Sequence, residues 1–367
     1  MNTNNLLSNF LSWDFGKLFY RFSNTDGKTW LMPSRNMRIA MNLYQPSGRN
    51  GKLVKNWFPW LHKVPLVRNV IHAEKLCCGM KEELRLLLEQ LFQEKELEFS
   101  VFCGTPCVHQ KITIQLSKEK RILGYCKLSD SEEVARLFQS EAKVLEYLAK
   151  QGLTGIPRCL YCGELCKGIH LFVQSTTKSM QSQVPHEWNV LHESFLKELH
   201  EKTKQKIKFD ETDYYKTLLN LQHHLDWLPS TINRIAVETA IAKIMAAHGK
   251  QMVEFSAYHA DFTPWNMFVE SERLFVFDWE YAQLTYPPRL DRYHFFTQTV
   301  HFEKHWTFQQ IVEYMQSEQG VWIDKDMYLQ YLLDVMSRFT LREKGKVTRD
   351  VAGSFNLWIN LLEYLNK

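Results

Sequence analysis

Two aspartates and an asparagine stand close together in the stretch from Tyr258 to Tyr281, YHADFTPWNMFVESERLFVFDWEY. Asp261 and Asn266 fall in a loop, since Thr263-Pro264 interrupts any regular element. Met267-Phe268-Val269 and Leu274-Phe275-Val276-Phe277 are short apolar runs joined by Glu270-Ser271-Glu272-Arg273, the pattern of a hairpin. A hairpin returns its ends to one place, so Asn266 and Asp278 should emerge side by side with Asp261 across a small gap. A divalent magnesium ion takes hard oxygen ligands of this kind. Asp261 is then left to accept a proton from an attacking hydroxyl.

The stretch resembles the His-x-Asp-x4-Asn plus Asp-x-x catalytic segment of the protein-kinase-like fold, in the form found in aminoglycoside phosphotransferases and choline/ethanolamine kinases. The matching residues are His259, Asp261, Asn266 and Asp278. The run Asp278-Trp279-Glu280-Tyr281-Ala282 departs from Asp-Phe-Gly toward the choline-kinase branch. The resemblance implies an α+β, two-lobed fold with a small antiparallel-sheet lobe and a large, mainly helical lobe. It also implies ATP and Mg2+ as cofactors, Asp261 as the base, His259 as a brace of the loop, and Asn266 and Asp278 as metal ligands.

Other parts of the family pattern fall upstream in the expected order. Phe99 to Phe102 and Ile112 to Leu116 read as a hairpin where the fold has its nucleotide-covering loop, although Gly104 is that loop's one glycine. The strand Ile122 to Leu128 carries Lys127 after an alternating apolar run. Ser131 to Gln151 carries an apolar stripe at helical period, with Glu141 within it. The resemblance makes Lys127 and Glu141 the pair that positions the nucleotide phosphates, and Leu171 to Ser175, with Gln174, the strand and hinge that read the adenine edge. Asp291 stands about where the family has an acid that supports the catalytic loop.

The domain boundaries that follow are an N-terminal extension over 1–95, a small lobe over 96–178 and a helical lobe over 179–367. In the extension, Leu18 to Phe22 and Thr29 to Met32 read as strands around a turn at Asn24 to Gly27, and Lys81 to Gln93 as a helix. Between them lies a basic, aromatic segment over 49–68. Such a segment can rest on an anionic membrane surface or hold an acidic partner, although basic decoration of a folded surface is the commoner case. In the large lobe His186 to His200, Thr212 to His224, Ile232 to His248 and Phe355 to Leu365 read as helices. The scattered His192, His200, His223 and His224 are ordinary surface or core residues on that reading.

Composition excludes several classes. With 45% hydrophobic and 23% charged residues, and a net charge of only +4, nothing asks for nucleic acid. No apolar run is long enough for a membrane-spanning helix, and MNTNNLLSNFLSW lacks the shape of a signal peptide, so a cytoplasmic protein is expected. The eight cysteines then read as reduced thiols. Cys159, Cys162 and Cys166, with Cys103 and Cys107, have metal-like spacing but lack the paired knuckles of a zinc site. The acceptor stays open among amino alcohols such as choline or ethanolamine, sugars and aminoglycosides. Trp265, Trp279 and Tyr281 offer a cation–π box for an amine. The alternative is a nucleotide-binding pseudokinase that acts as a protein-interaction module.

Overall fold

In the computed structural model the described residues are 3–46, 48–105, 110–166, 168–346 and 349–367. The chain divides into two compact units. The first is 1–149 with 155–183 and 269–275; the second is 150–154 with 184–268 and 276–367.

The first unit is organised on one antiparallel sheet. After α1 (Thr3–Phe10) come β1 (Leu11–Ser23) and β2 (Thr29–Pro33), then α2 (Met37–Ala40), α3 (Arg49–Leu61), α4 (Pro65–Val70), β3 (Glu74–Met80) and α5 (Glu82–Phe92). The next elements are β4 (Glu98–Cys103), β5 (Ile112–Lys118), β6 (Arg121–Ser129), α6 (Glu132–Lys150), β7 (Cys159–Cys166) and β8 (Ile169–Ser175). The eight strands run in the order β3-β1-β2-β4-β5-β6-β8-β7. The strands of the N-terminal 95 residues therefore continue the sheet, with Leu31 of β2 opposite Val101 of β4. Alternation along β5 and β6 turns Ile112, Ile114, Cys126 and Leu128 into one apolar core. Tyr20, Phe22, Trp30 and Phe58 form a second, aromatic one. Gly124 in β6 has no room for a side chain: a Cβ there would lie 2.2 Å from the Gln174 carbonyl oxygen and 2.7 Å from the Phe92 ring.

The second unit is mainly helical. It contains α7 (Val190–Thr203), β9 (Gln205–Lys208), α8 (Asp213–His223), α9 (Arg234–His248) and β10 (Met252–Tyr258). The hairpin β11 (Met267–Glu270) and β12 (Arg273–Val276) comes next in the chain. Then follow β13 (Gln283–Tyr286), α10 (Leu290–Gln298), α11 (Phe308–Gln316), α12 (Lys325–Glu343) and α13 (Arg349–Leu365). A three-stranded antiparallel sheet, β13-β10-β9, lies among the helices. Its core gathers Tyr258, Tyr286 and Tyr328 with Leu332, Trp358 and Leu361. The α+β division is the one the resemblance implied: an antiparallel-sheet unit and a mainly helical one. No helix among the described residues is long and apolar enough to cross a membrane.

Candidate active site

β10 delivers the chain into the loop that carries Asp261, and that loop is fixed from several sides. Asp291 is 3% exposed at the start of α10. Its two carboxylate oxygens accept the backbone N–H groups of His259, at 2.9 Å, and Ala260, at 3.1 Å. Arg338 of α12 donates to the Ala260 carbonyl. Ala260 has a φ of 70°, an unfavourable region for an alanine, and these bonds hold it there. Burial pushes the Asp291 carboxyl up to about 7, against the two amide bonds and Arg338. Asp291 thus supports this turn.

His259 is fully buried and braces the loop. The Asp261 N–H donates to its Nδ1 at 3.1 Å, so Nε2 carries the proton and donates to the Phe277 carbonyl, also at 3.1 Å. Burial pushes its pKa down to about 4, which keeps the ring neutral. His259 therefore ties the loop to the end of the hairpin. The Phe277 N–H in turn donates to the Asn266 carbonyl at 3.0 Å, so Asn266 and Asp278 leave the hairpin as neighbours. Asp278, like Ala260, holds a positive φ, 71°.

The Asp261 carboxylate is held on both oxygens. Asn266 Nδ2 donates to Oδ2 at 2.7 Å, and His294 Nε2 to Oδ1 at 3.0 Å. The side chain keeps 29% exposure, whereas His294 has 1%. Burial works to raise the Asp261 pKa, but the His294 bond and charge, with Arg338 and His259, hold it below the usual aspartate value. Each oxygen retains a lone pair, so the group can still accept a proton from a hydroxyl. The Asn266 amide spends its nitrogen on Asp261 and leaves its oxygen end for other work. That oxygen and the Asp278 carboxylate are hard donors of the kind magnesium takes, so the residues present fit the ion.

In the first unit, Lys127 Nζ lies 2.8 Å from Glu141 Oε2, with side-chain exposures of 10% and 0%. The strand lysine and helix glutamate thus meet as a buried pair. Lys127 also lies 5.3 Å from the Phe172 ring on the neighbouring β8. Gln174 stands opposite Tyr125 of β6, and its buried Oε1 has no hydrogen-bond partner among the described residues. Gly104 follows β4, its carbonyl accepting Gln110 Nε2 at 2.8 Å. Among the described residues, a Cβ there would meet only Lys111 O, at 3.7 Å, an ordinary contact.

One expectation changes. Trp279 is fully buried, its Nε1 donating to the Val276 carbonyl at 3.0 Å, so it is a core residue and no wall of a cation box. Cys159, Cys162 and Cys166 all lie on the single extended strand β7, and Cys107 lies outside the described residues. Among the described residues no group of three candidate metal ligands includes a cysteine. Of the scattered histidines, His192 has a structural role, since it accepts the Asn189 N–H at 3.1 Å in the capping box of α7. The histidine that bonds the Asp261 carboxylate is another one, His294. Its signal is its spacing, for Asp291 and His294 are three apart and share one face of α10.

No family model matches the chain, and no curated protein matches it. Solved structures do resemble it. One is a thermostable mutant of aminoglycoside phosphotransferase APH(4)-Ia in ternary complex with ADP and hygromycin B, at 13% identity, over 77% of this chain and 98% of that one, with a TM-score of 0.47. A second is the streptomycin-ATP-APH(2")-IIa ternary complex, at 14% identity, over 78% and 96%, with a TM-score of 0.45. A third is choline kinase LicA from Streptococcus pneumoniae, at 17% identity, over 72% and 89%, with a TM-score of 0.43.

Proposed function

We propose that this chain is a small-molecule O-phosphotransferase that moves the γ-phosphoryl group of ATP to a hydroxyl of its acceptor. The observation that carries the reading is the Asp261 carboxylate, oriented by Asn266 and His294 in a loop that Asp291 and His259 hold rigid. Asp261 orients the acceptor hydroxyl and takes its proton as the oxygen attacks phosphorus. Asn266 Oδ1 and the Asp278 carboxylate hold the metal, and Lys127, steadied by Glu141, offsets phosphate charge. Magnesium, when bound, supplies charge neutralisation on the phosphate oxygens. On this reading Gln174 belongs to the strand that reads the adenine edge, and Gly104 to the nucleotide-covering segment. The acceptor is an amino alcohol, a sugar or an aminoglycoside. With Trp279 in the core, the aromatic case for a choline-like amine is reduced to Trp265 and Tyr281.

The test is ADP release by the purified protein with ATP and magnesium, against choline, ethanolamine, sugars and aminoglycosides. An acceptor-dependent rate is expected. Asp261→Asn should lower it by roughly 10²- to 10⁴-fold while nucleotide affinity persists. Nucleotide binding without stimulation by any acceptor would favour a pseudokinase, and near-normal turnover by Asp261→Asn would remove the base assignment.

A further inference from the structure

The stretch from Gly27 to Ala73 contains eight of the chain's 45 Lys and Arg residues and none of its 41 Asp and Glu residues. It is therefore +8, and the remainder of the chain is −4. Within it, α3 has two apolar faces. One turns inward, where Phe58 is 1% exposed and meets Phe22 at 5.7 Å and Tyr20 at 6.0 Å. The other carries Leu53, Trp57 and Trp60 at helical spacing, and these are 57%, 61% and 68% exposed. The short α4 repeats the arrangement: Val67 packs on the aromatic core, whereas Leu66 and Val70 are 73% and 72% exposed. Lys52 and Lys63 are exposed on the same two-helix segment.

Scattered apolar residues on a surface need no explanation, but two tryptophans and several aliphatics concentrated on one short segment do. We propose that α3 and α4 form an interfacial anchor that lies on an anionic lipid bilayer. Tryptophan is suited to that depth, with an apolar ring and a polar N–H, and lysines around it find lipid phosphates. The charge favours this occupant over a second copy of the chain. A symmetric dimer through this face would bring the exposed Lys52 and Lys63 of two copies together, with no acid on α3 or α4 to answer them. A bilayer offers apolar depth and uniform negative charge together, and no helix need span it.

Co-sedimentation of the full chain with phosphatidylcholine vesicles, with and without phosphatidylglycerol, tests this. Binding is expected only to the phosphatidylglycerol vesicles and should fade as salt rises. The double substitution Lys52→Glu and Lys63→Glu should weaken it by at least about twentyfold, from roughly fivefold per lysine. Trp57→Ala with Trp60→Ala should weaken it by about tenfold without changing the thermal midpoint, since both side chains are exposed. Failure to sediment at low salt, equal binding to neutral vesicles, or indifference to both pairs of substitutions would overturn the proposal. A concentration-dependent dimer that these substitutions dissolve would assign the face to a second copy instead.

Discussion

The Lys127–Glu141 pair and the Asp261 loop are both polar centres set among apolar side chains, but they are held by different means. The first is two opposite charges meeting directly across a strand and a helix, 14 positions apart in the chain. The second is a carboxylate bonded by an asparagine five positions on and a histidine 33 positions on, within a turn whose amides are taken by a further aspartate. A pair depends on each partner. A network of hydrogen bonds distributes the loss, and its members can be removed singly and read separately.

The largest effect on stability should come from breaking the pair. Removing one member of a buried ion pair costs about 3–5 kcal/mol. Glu141→Ala is expected to lose stability on that scale in denaturant unfolding, with weaker nucleotide affinity. Asp291→Asn is the matching change in the network. Asparagine keeps one acceptor oxygen for two backbone amides, and an orphaned buried N–H costs about 1–3 kcal/mol. Turnover should fall with the loss of the Ala260 turn. If Asp291→Asn proves costlier than Glu141→Ala, the network is the less tolerant centre and the contrast reverses.

A smaller effect separates positioning from chemistry. His294→Phe removes the bond to Asp261 and should lower kcat about tenfold, the worth of a hydrogen bond to a charged group, with KM for ATP unchanged. The bond holds the Asp261 pKa down, so its loss should move the acid limb of the pH–rate profile to higher pH. His294→Gln, which can still donate, should restore the limb. A profile identical in all three proteins would leave His294 a packing residue only.

Legibility follows sequence distance. The hairpin, the Asp261–Asn266 spacing and the α6 stripe are local patterns, and each is readable because five to twenty residues contain the whole signal. That Asn266 and Asp278 meet follows from the hairpin alone. The partners from other helices are not readable. Nothing near Arg338 marks it as a donor to Ala260, and nothing in Thr29–Pro33 names Val101 as its neighbour in the sheet. The tryptophans show the same limit. Composition cannot tell the buried Trp279 from the exposed Trp57, because helical period fixes a face without saying what covers it.

His192 provides a control whose hydrogen bonds go to Asn189 and not to the Asp261 carboxylate, and the smallest effect. Burial pushes its pKa down to about 4. In the unfolded chain the imidazole takes a proton near pH 6.5. Between those values the unfolded state binds the extra proton, so the stability His192 contributes is present above pH 6.5 and is lost as pH falls toward 4. Asp291 has the opposite sign in much the same window. Its folded pKa is raised to about 7, so it removes stability as pH climbs from about 4. His192→Phe keeps a ring beside Trp188, whose centroid lies 5.0 Å away, and gives up the N-cap bond. Its stability at neutral pH should drop slightly. Its loss on acidification should flatten by up to one proton, about 1.4 kcal/mol per pH unit. Thermal midpoints of both proteins from pH 4 to 7 would read that slope, and parallel curves would mean that His192 takes its proton in the folded state.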